Sequence, residues 1–222
     1  IIPEVVRKAF KVAESEKPGA THIELPEDVM AEPLDAAPLP RMDIARPEPN
    51  ARDILRAADM IKSAVNPVVL AGNGVIRVNA TQALRDFAHA TNIGVSSTFM
   101  GKGIIDSDDP LSLGTTGLQA GDYSLAGFDE ADLVIAVGYD LVEHSPKHWN
   151  PDGDKKIIVI DTTAAEIDAH YMHEIELVGD IYHILNILTE ECRNVSFSGG
   201  SRRLHDVVMG RLEGARHDDS FP

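Results

Sequence analysis

The residues of this 222-residue chain best placed to hold a ligand are paired glycines and acids at the ends of apolar runs. Gly72-Asn73-Gly74 follows the run PVVLA and precedes a helical pattern. Glycine there lets the backbone approach a ligand closely, and a helix N-terminus attracts an anion such as a phosphate. The same three residues serve equally well in a plain turn. The pattern G-x-G-x-x-G is not completed, because position 77 is Arg. Gly101-Lys102-Gly103 stands at the end of another expected strand but lacks the GxxxxGK[ST] pattern of a phosphate-cradling loop. Lys102 reads first as a solvent-facing lysine and second as a phosphate contact. Gln119 and Gly121, in TTGLQAGD, either wrap a ligand or belong to an irregular connection. Asp161 ends the run KIIVID, a place where an acid can accept a ribose hydroxyl. It stands 87 residues after Gly74, too far for the two-part dinucleotide fingerprint. Its alternative role is to cap a helix starting near Ala164, with Thr162 or Thr163 as rival caps.

Reactive constellations are missing from the sequence. His144 and His148 have i,i+4 spacing, but Pro146 between them breaks the helix that would align two metal ligands, and no HExxH occurs. His170 and His173 flank an acidic segment without a ligand pattern. No GxSxG elbow exists, and the lone Cys192 allows neither a disulfide framework nor a cysteine metal site. The expectation is no catalytic residue and no metal site.

The elements that must position these residues follow from periodicity. Ile2–Glu16 reads as a helix with Val5, Val6, Ala9, Phe10 and Ala13 on one face, stopped by Pro18 and Gly19. THIEL, residues 21–25, reads as a short strand. Six prolines between positions 26 and 49 make residues 26–50 a linker. From Ala51 a βα rhythm sets in. Helices are expected over 52–64, 80–90, 164–170 and 181–190, and strands over 68–71, 93–97, 111–114, 133–137, 157–160 and 175–178. LVIAV is apolar throughout rather than alternating, the mark of a strand buried on both faces of a parallel sheet. The fold class is α/β: a three-layer α/β/α, Rossmann-like domain around a six-stranded, mostly parallel sheet. A further helix is expected over 202–212.

The formal net charge of −16 repels a phosphate backbone on average, which argues against nucleic acid as a partner. It does not exclude one nucleotide held by a local nest of N–H groups. No apolar run reaches the length of a membrane span, so no membrane association is expected, and the location expected is cytoplasmic. The chain starts at Ile1 without methionine and stops in polar sequence, and it reads as a piece of a longer protein.

Taken in order, PGATHIELPEDV, NPVVLAGNGV, STFMGKGIIDSDDPLSLGTTG, ADLVIAVGYD, KKIIVIDTTAAEID and ELVGD resemble thiamine-diphosphate-dependent enzymes of the acetolactate synthase group. The resemblance covers nearly all of residues 1–195. It implies that 1–25 is the tail of a pyrimidine-binding domain, 26–50 a linker and 51–195 the central domain. It makes 196–222, ending in HDDSFP, the run toward a diphosphate-binding domain. The family's catalytic glutamate and its GDG-initiated metal motif belong to the flanking domains, and no GDG occurs here. The resemblance therefore implies thiamine diphosphate and magnesium in the full-length parent only, working at a homodimer or tetramer interface between flanking domains. That parent would decarboxylate pyruvate and join the two-carbon unit to a second pyruvate, and this chain alone would be inactive.

Some members hold FAD in the central domain as a structural group. The matching positions are Gly72, Asn73 and Gly74, Thr98 to Gly101 including Met100, Leu118 to Ala120 including Gln119, Gly138 to Asp140, and Asp161. Flavin-containing members have Met-His-Gly where Leu118-Gln119-Ala120 stands and Arg where Asp140 stands. A carboxylate in place of a cation repels flavin phosphates. The segment GYDLVEHSPKHWN is similar to the flavin-independent, catabolic acetolactate synthases, so FAD is expected to be absent. The alternatives are a nucleotide-binding module for FAD, ADP or NAD, or a piece of a related 2-oxo acid decarboxylase.

Overall fold

A computed structural model describes residues 1–117, 127–197, 205–207 and 209–210. The chain divides into two compact units, Ile1–Arg46 and Pro47–Pro222, a division that falls inside the proline-rich stretch.

In the first unit, helix α1 (Ile2–Glu14) carries Pro3 in its opening turn, Glu4 near its N-terminus and Lys11 near its C-terminus. All three suit the helix start and its dipole. Ser15 ends it in extended conformation, its hydroxyl donating to the Lys11 carbonyl at 2.6 Å. The Arg7 guanidinium donates to the carbonyls of Pro40 and Met42 at 3.2 Å each. A groove of about 440 Å³ is lined by Ile2, Val6, Phe10, Leu34 and Leu39 among others. Residues 21–25 belong to no strand. The local pattern favours extension, but a ladder needs a neighbouring strand to take its N–H and C=O groups, and these residues have none. Within the prolines a single turn of helix, α2 (Glu27–Met30), forms.

The second unit opens on α3 (Ala51–Ser63), whose cap is Asn50: its side-chain oxygen accepts from the Arg52 N–H at 2.9 Å. There follow β1 (Pro67–Ala71), α4 (Asn73–Arg77), α5 (Thr81–Thr91), β2 (Gly94–Thr98), β3 (Ser112–Thr116), β4 (Leu133–Val137), β5 (Lys156–Asp161), β6 (Ile175–Val178) and α6 (Ile181–Glu191). The six strands lie in the order β3-β2-β1-β4-β5-β6, and every neighbouring pair is parallel. This is the doubly wound Rossmann order. The chain builds outward from β1 through β2 to β3, then returns to β1's other side as β4. The order therefore reverses between β1 and β4.

Alternation along the strands separates two cores. Val69, Ala71, Ile135, Val137, Ile158 and Ile160 face α3, α5 and α6 in a largely aliphatic cluster that includes Phe87. Val68, Leu70, Val134, Ala136, Ile157 and Val159 face the other way, onto Phe128, Tyr139, Trp149 and Tyr171. Among the described residues this second face is covered by 3-10 turns (Phe128–Glu130 and Pro146–His148) and irregular chain rather than by a long helix.

Two more expected elements differ. Residues 164–170 are not helical. The Ala165 N–H is taken by the Glu176 carboxylate of β6, and the Asp168 carboxylate accepts the His170 N–H at 2.7 Å. Such side-chain bonds compete with a helical ladder for the same donors. The turn expected at 72–74 is instead the start of a helix, since α4 begins at Asn73. The helix expected over 202–212 is seen at 205–207 and 209–210, and the rest of it lies outside the described residues.

Candidate functional site

The parallel sheet gathers most of the singled-out residues at one edge. Gly72, Asn73 and Gly74 follow β1; Thr98, Met100 and Gly101 stand at the end of β2; Gly138 and Asp140 follow β4; Asp161 ends β5. These are the carboxyl ends of four adjacent strands, β2-β1-β4-β5, spanning the point where the order reverses. In open α/β sheets ligands bind in that crevice. Gln119 lies outside the described residues.

The glycines are explained by contact of backbone with backbone. A Cβ on Gly72 would strike the Gly138 carbonyl and stand 2.6 Å from the Tyr139 Cα. One on Gly74 would lie 2.6 Å from the Gly138 Cα, and one on Gly101 2.6 Å from the Ala71 carbonyl oxygen. Gly138 itself has φ +57°, and a Cβ there would meet the Val75 nitrogen at 2.6 Å. Only glycine satisfies both the left-handed backbone and the closeness. The Gly72 N–H donates to the Val137 carbonyl and the Gly74 N–H to the Gly138 carbonyl, both at 2.9 Å. The amide of Gly74 is thus used within the fold.

Two other amides of the edge, those of Asn73 and Met100, meet an acid that the sequence did not single out. After β4 the chain turns at Asp140, whose carboxylate accepts the Val142 N–H at 3.3 Å and whose carbonyl accepts the Glu143 N–H at 3.1 Å. Glu143 then reaches back over the strand ends. Its Oε1 lies 3.5 Å from the Asn73 nitrogen and its Oε2 3.4 Å from the Met100 nitrogen, two long hydrogen bonds from two different strand ends. One residue on, His144 stands beside Gly117, which follows β3: a Cβ on Gly117 would be 3.6 Å from the His144 Cβ. Residues 140–144 therefore run from the end of β4 past β1 and β2 to the end of β3. The sequence signal was present as an acid three residues beyond Asp140, but its target amides lie 70 and 43 positions earlier.

Side chains beneath anchor this strap. The Tyr139 hydroxyl donates to the His144 carbonyl and accepts from the Trp149 indole N–H at 3.5 Å. Trp149 is buried against Phe128, Tyr139 and Tyr171 in tilted and edge-on contacts. Burial pushes the Tyr139 phenol up to about 12, with the Trp149 hydrogen bond opposing and the carboxylates of Glu143, Asp168 and Asp140 adding. Tyr171 is also raised, by burial first and then by Tyr139, Asp161 and Glu176. Both phenols therefore remain protonated donors at neutral pH.

Asp161 is buried, and its carboxylate accepts the Thr162 N–H at 2.7 Å and the Thr162 hydroxyl at 3.2 Å. It caps no helix, because none begins near Ala164. Thr98 caps the 3-10 turn Phe99–Gly101, accepting the Gly101 N–H at 3.1 Å. Lys102 is exposed and lines a cavity of about 220 Å³ with Ser97, Ser107, Ser112 and Thr115. His144 and His148 come together despite Pro146, their ring centroids 4.2 Å apart. Pro146 opens a 3-10 turn there, a position that tolerates a missing N–H. No three His, Cys, Asp or Glu among the described residues converge as a metal site. These residues do not fit a diphosphate–magnesium centre. Glu143 and Asp140 place carboxylates at the same strand ends as the glycines, and Asp161 stands where an acid can accept a ribose hydroxyl.

Comparison with known proteins agrees with this architecture. Residues 54–188 match the family described as "Thiamine pyrophosphate enzyme, central domain". The chain is 32% identical over 219 residues to the acetolactate synthase of Bacillus subtilis, covering 96% of this chain and 38% of that protein. It is 36% identical over 197 residues to a probable acetolactate synthase large subunit of Methanocaldococcus jannaschii, covering 84% of this chain and 33% of that protein. A glyoxylate carboligase of Escherichia coli O157:H7 is 29% identical over 203 residues, covering 90% of this chain and 34% of its own. The chain spans less than two fifths of the length of these relatives. No helix among the described residues is long and apolar enough to cross a membrane. With its β3-β2-β1-β4-β5-β6 sheet and this match over most of the second unit, the chain belongs to the thiamine pyrophosphate enzyme family, through that family's central domain.

Proposed function

We propose that the chain is the scaffold part of a thiamine-diphosphate-dependent enzyme of the acetolactate synthase type. The whole enzyme condenses two pyruvates to 2-acetolactate with release of carbon dioxide. The chemistry of thiamine diphosphate and magnesium is supplied by flanking pyrimidine- and diphosphate-binding domains in a homodimer or tetramer, and this chain by itself turns nothing over. The observation that carries this reading is the strand-end crevice. Its positions are those at which a nucleotide is held in this kind of fold, yet its glycines are spent on backbone packing and its free edge is acidic. The central domain then contributes packing and interface area, without a bound flavin.

The test has two arms. An absorbance scan of the purified chain, with mass spectrometry of the denatured supernatant, is expected to show neither flavin nor adenine nucleotide. Incubation with pyruvate, thiamine diphosphate and magnesium is expected to yield no acetolactate. Flavin at near-equal stoichiometry would overturn the first half of the reading, and turnover by the chain alone the second. The second reading, a carboligase or decarboxylase acting on another 2-oxo acid, draws on the likeness to the glyoxylate carboligase.

A further inference from the structure

We propose that Glu143 determines what the strand-end crevice accepts: its carboxylate is a built-in anion that occupies the crevice and keeps phosphate-bearing ligands out. Three observations carry this. First, the carboxylate bridges amides from two different strand ends, Asn73 after β1 and Met100 after β2, one oxygen to each. Those strands are neighbours in the sheet, so the carboxylate spans two adjacent strand ends. Second, the adjacent amide of Gly74 is committed to the Gly138 carbonyl at 2.9 Å, so that N–H is not open to a phosphate. Third, the acid is held in place. Tyr139 fastens the carbonyl of His144 from below, the Asp140 carbonyl takes Glu143's own N–H, and His144 lies against Gly117 on the far side. A half-buried carboxylate fixed over two N–H groups repels an incoming phosphate by charge and competes with it for donors.

The inference rests on the scaffold reading above and adds the residue responsible for it. It makes exclusion a property of one side chain, which Glu143→Ala removes and Glu143→Gln converts to a neutral group of the same size.

The experiment uses the whole chain and two probes, ADP and adenosine, with titration calorimetry for binding and hydrogen exchange for the strap. In wild type, neither probe is expected to bind. In E143A, exchange at Asn73 and Met100 should rise about fivefold, the loss of one modest hydrogen bond each, while the β4 and β5 amides are unchanged. E143A should then bind ADP at least tenfold more tightly than wild type, and adenosine no more tightly. E143Q should show the same gain for ADP to a lesser degree and also serves as the test if E143A does not fold. Unchanged exchange at both amides would overturn the clasp. Faster exchange with no gain in ADP binding would overturn its role in exclusion and leave the scaffold reading intact. Tight ADP binding by wild type would overturn both. An equal gain for adenosine would show that Glu143 excludes by bulk rather than by charge, which would also overturn the proposal.

Discussion

Helices α1 and α3 are each 13 residues long, and each carries an apolar stripe at helical spacing. Their fates differ. In α3 the stripe is buried: Ile54, Ala57, Ala58 and Ile61 pack into the aliphatic core beneath the sheet. In α1 no residue is buried, and Phe10 is 60% exposed. Periodicity decides that a segment can be an amphipathic helix, but the free energy comes from covering the stripe, and that needs a partner surface. The second unit provides one in a six-stranded sheet. The first unit offers an open groove beside residues 34–41.

The contrast can be pressed hardest where the second unit's packing is backbone on backbone. Gly138→Ala places a Cβ against Val75 and Gly74 at a left-handed φ, and should cost at least about 3 kcal/mol in urea unfolding. Full tolerance would mean that β1 and β4 can part at their ends without loss. A matched pair of truncations compares the two helices directly. Ile61→Ala should destabilise by about 3 kcal/mol. Phe10→Ala should stay within about 0.5 kcal/mol, the range of exposed positions. Equal effects would erase the distinction between the units.

Smaller effects sharpen the picture. Tyr139 and Cys192 are buried in the second unit and hold their protons longer than in the unfolded chain, with values pushed up to about 12 and about 11. The unfolded chain therefore releases protons first as pH rises. Stability should be complete below about pH 9 and fall by on the order of 2 kcal/mol or more up to about pH 12. Urea midpoints measured across that range should show the decline, and Tyr139→Phe should lessen its upper part, to which the buried Tyr171 also contributes. A flat wild-type profile would contradict the burial of both groups. The smallest effect belongs to a cap. Asn50→Ala removes the acceptor for the Arg52 N–H and should cost about 1 kcal/mol, with hydrogen exchange quickening first in the opening turn of α3.

Why the sheet could be read from the chain, and the site only partly, is visible in particular residues. LVIAV and KIIVID are apolar without alternation, and a strand buried on both faces has few other ways to look. Both appear as expected strands, β4 and β5. Residues 164–170 failed the same kind of reading because the donors a helix needs were claimed by Glu176 and Asp168. THIEL failed because pairing is a property of neighbours. At the strand ends the glycines were noticed, but their reason was not: the atoms that exclude a Cβ at Gly72 belong to Gly138 and Tyr139, more than sixty positions away.

By itself, then, the sequence determined the order of the six sheet strands and of helices α1, α3, α5 and α6, the acidic charge and the glycines that mark the strand ends. Those are local quantities, set by side-chain hydrophobicity, charge and backbone freedom along a few consecutive residues. Tertiary structure alone decided which amides remain available at the crevice. Glu143 reaches Asn73 and Met100 only because β1, β2 and β4 lie side by side, and a parallel sheet brings distant segments together at one edge.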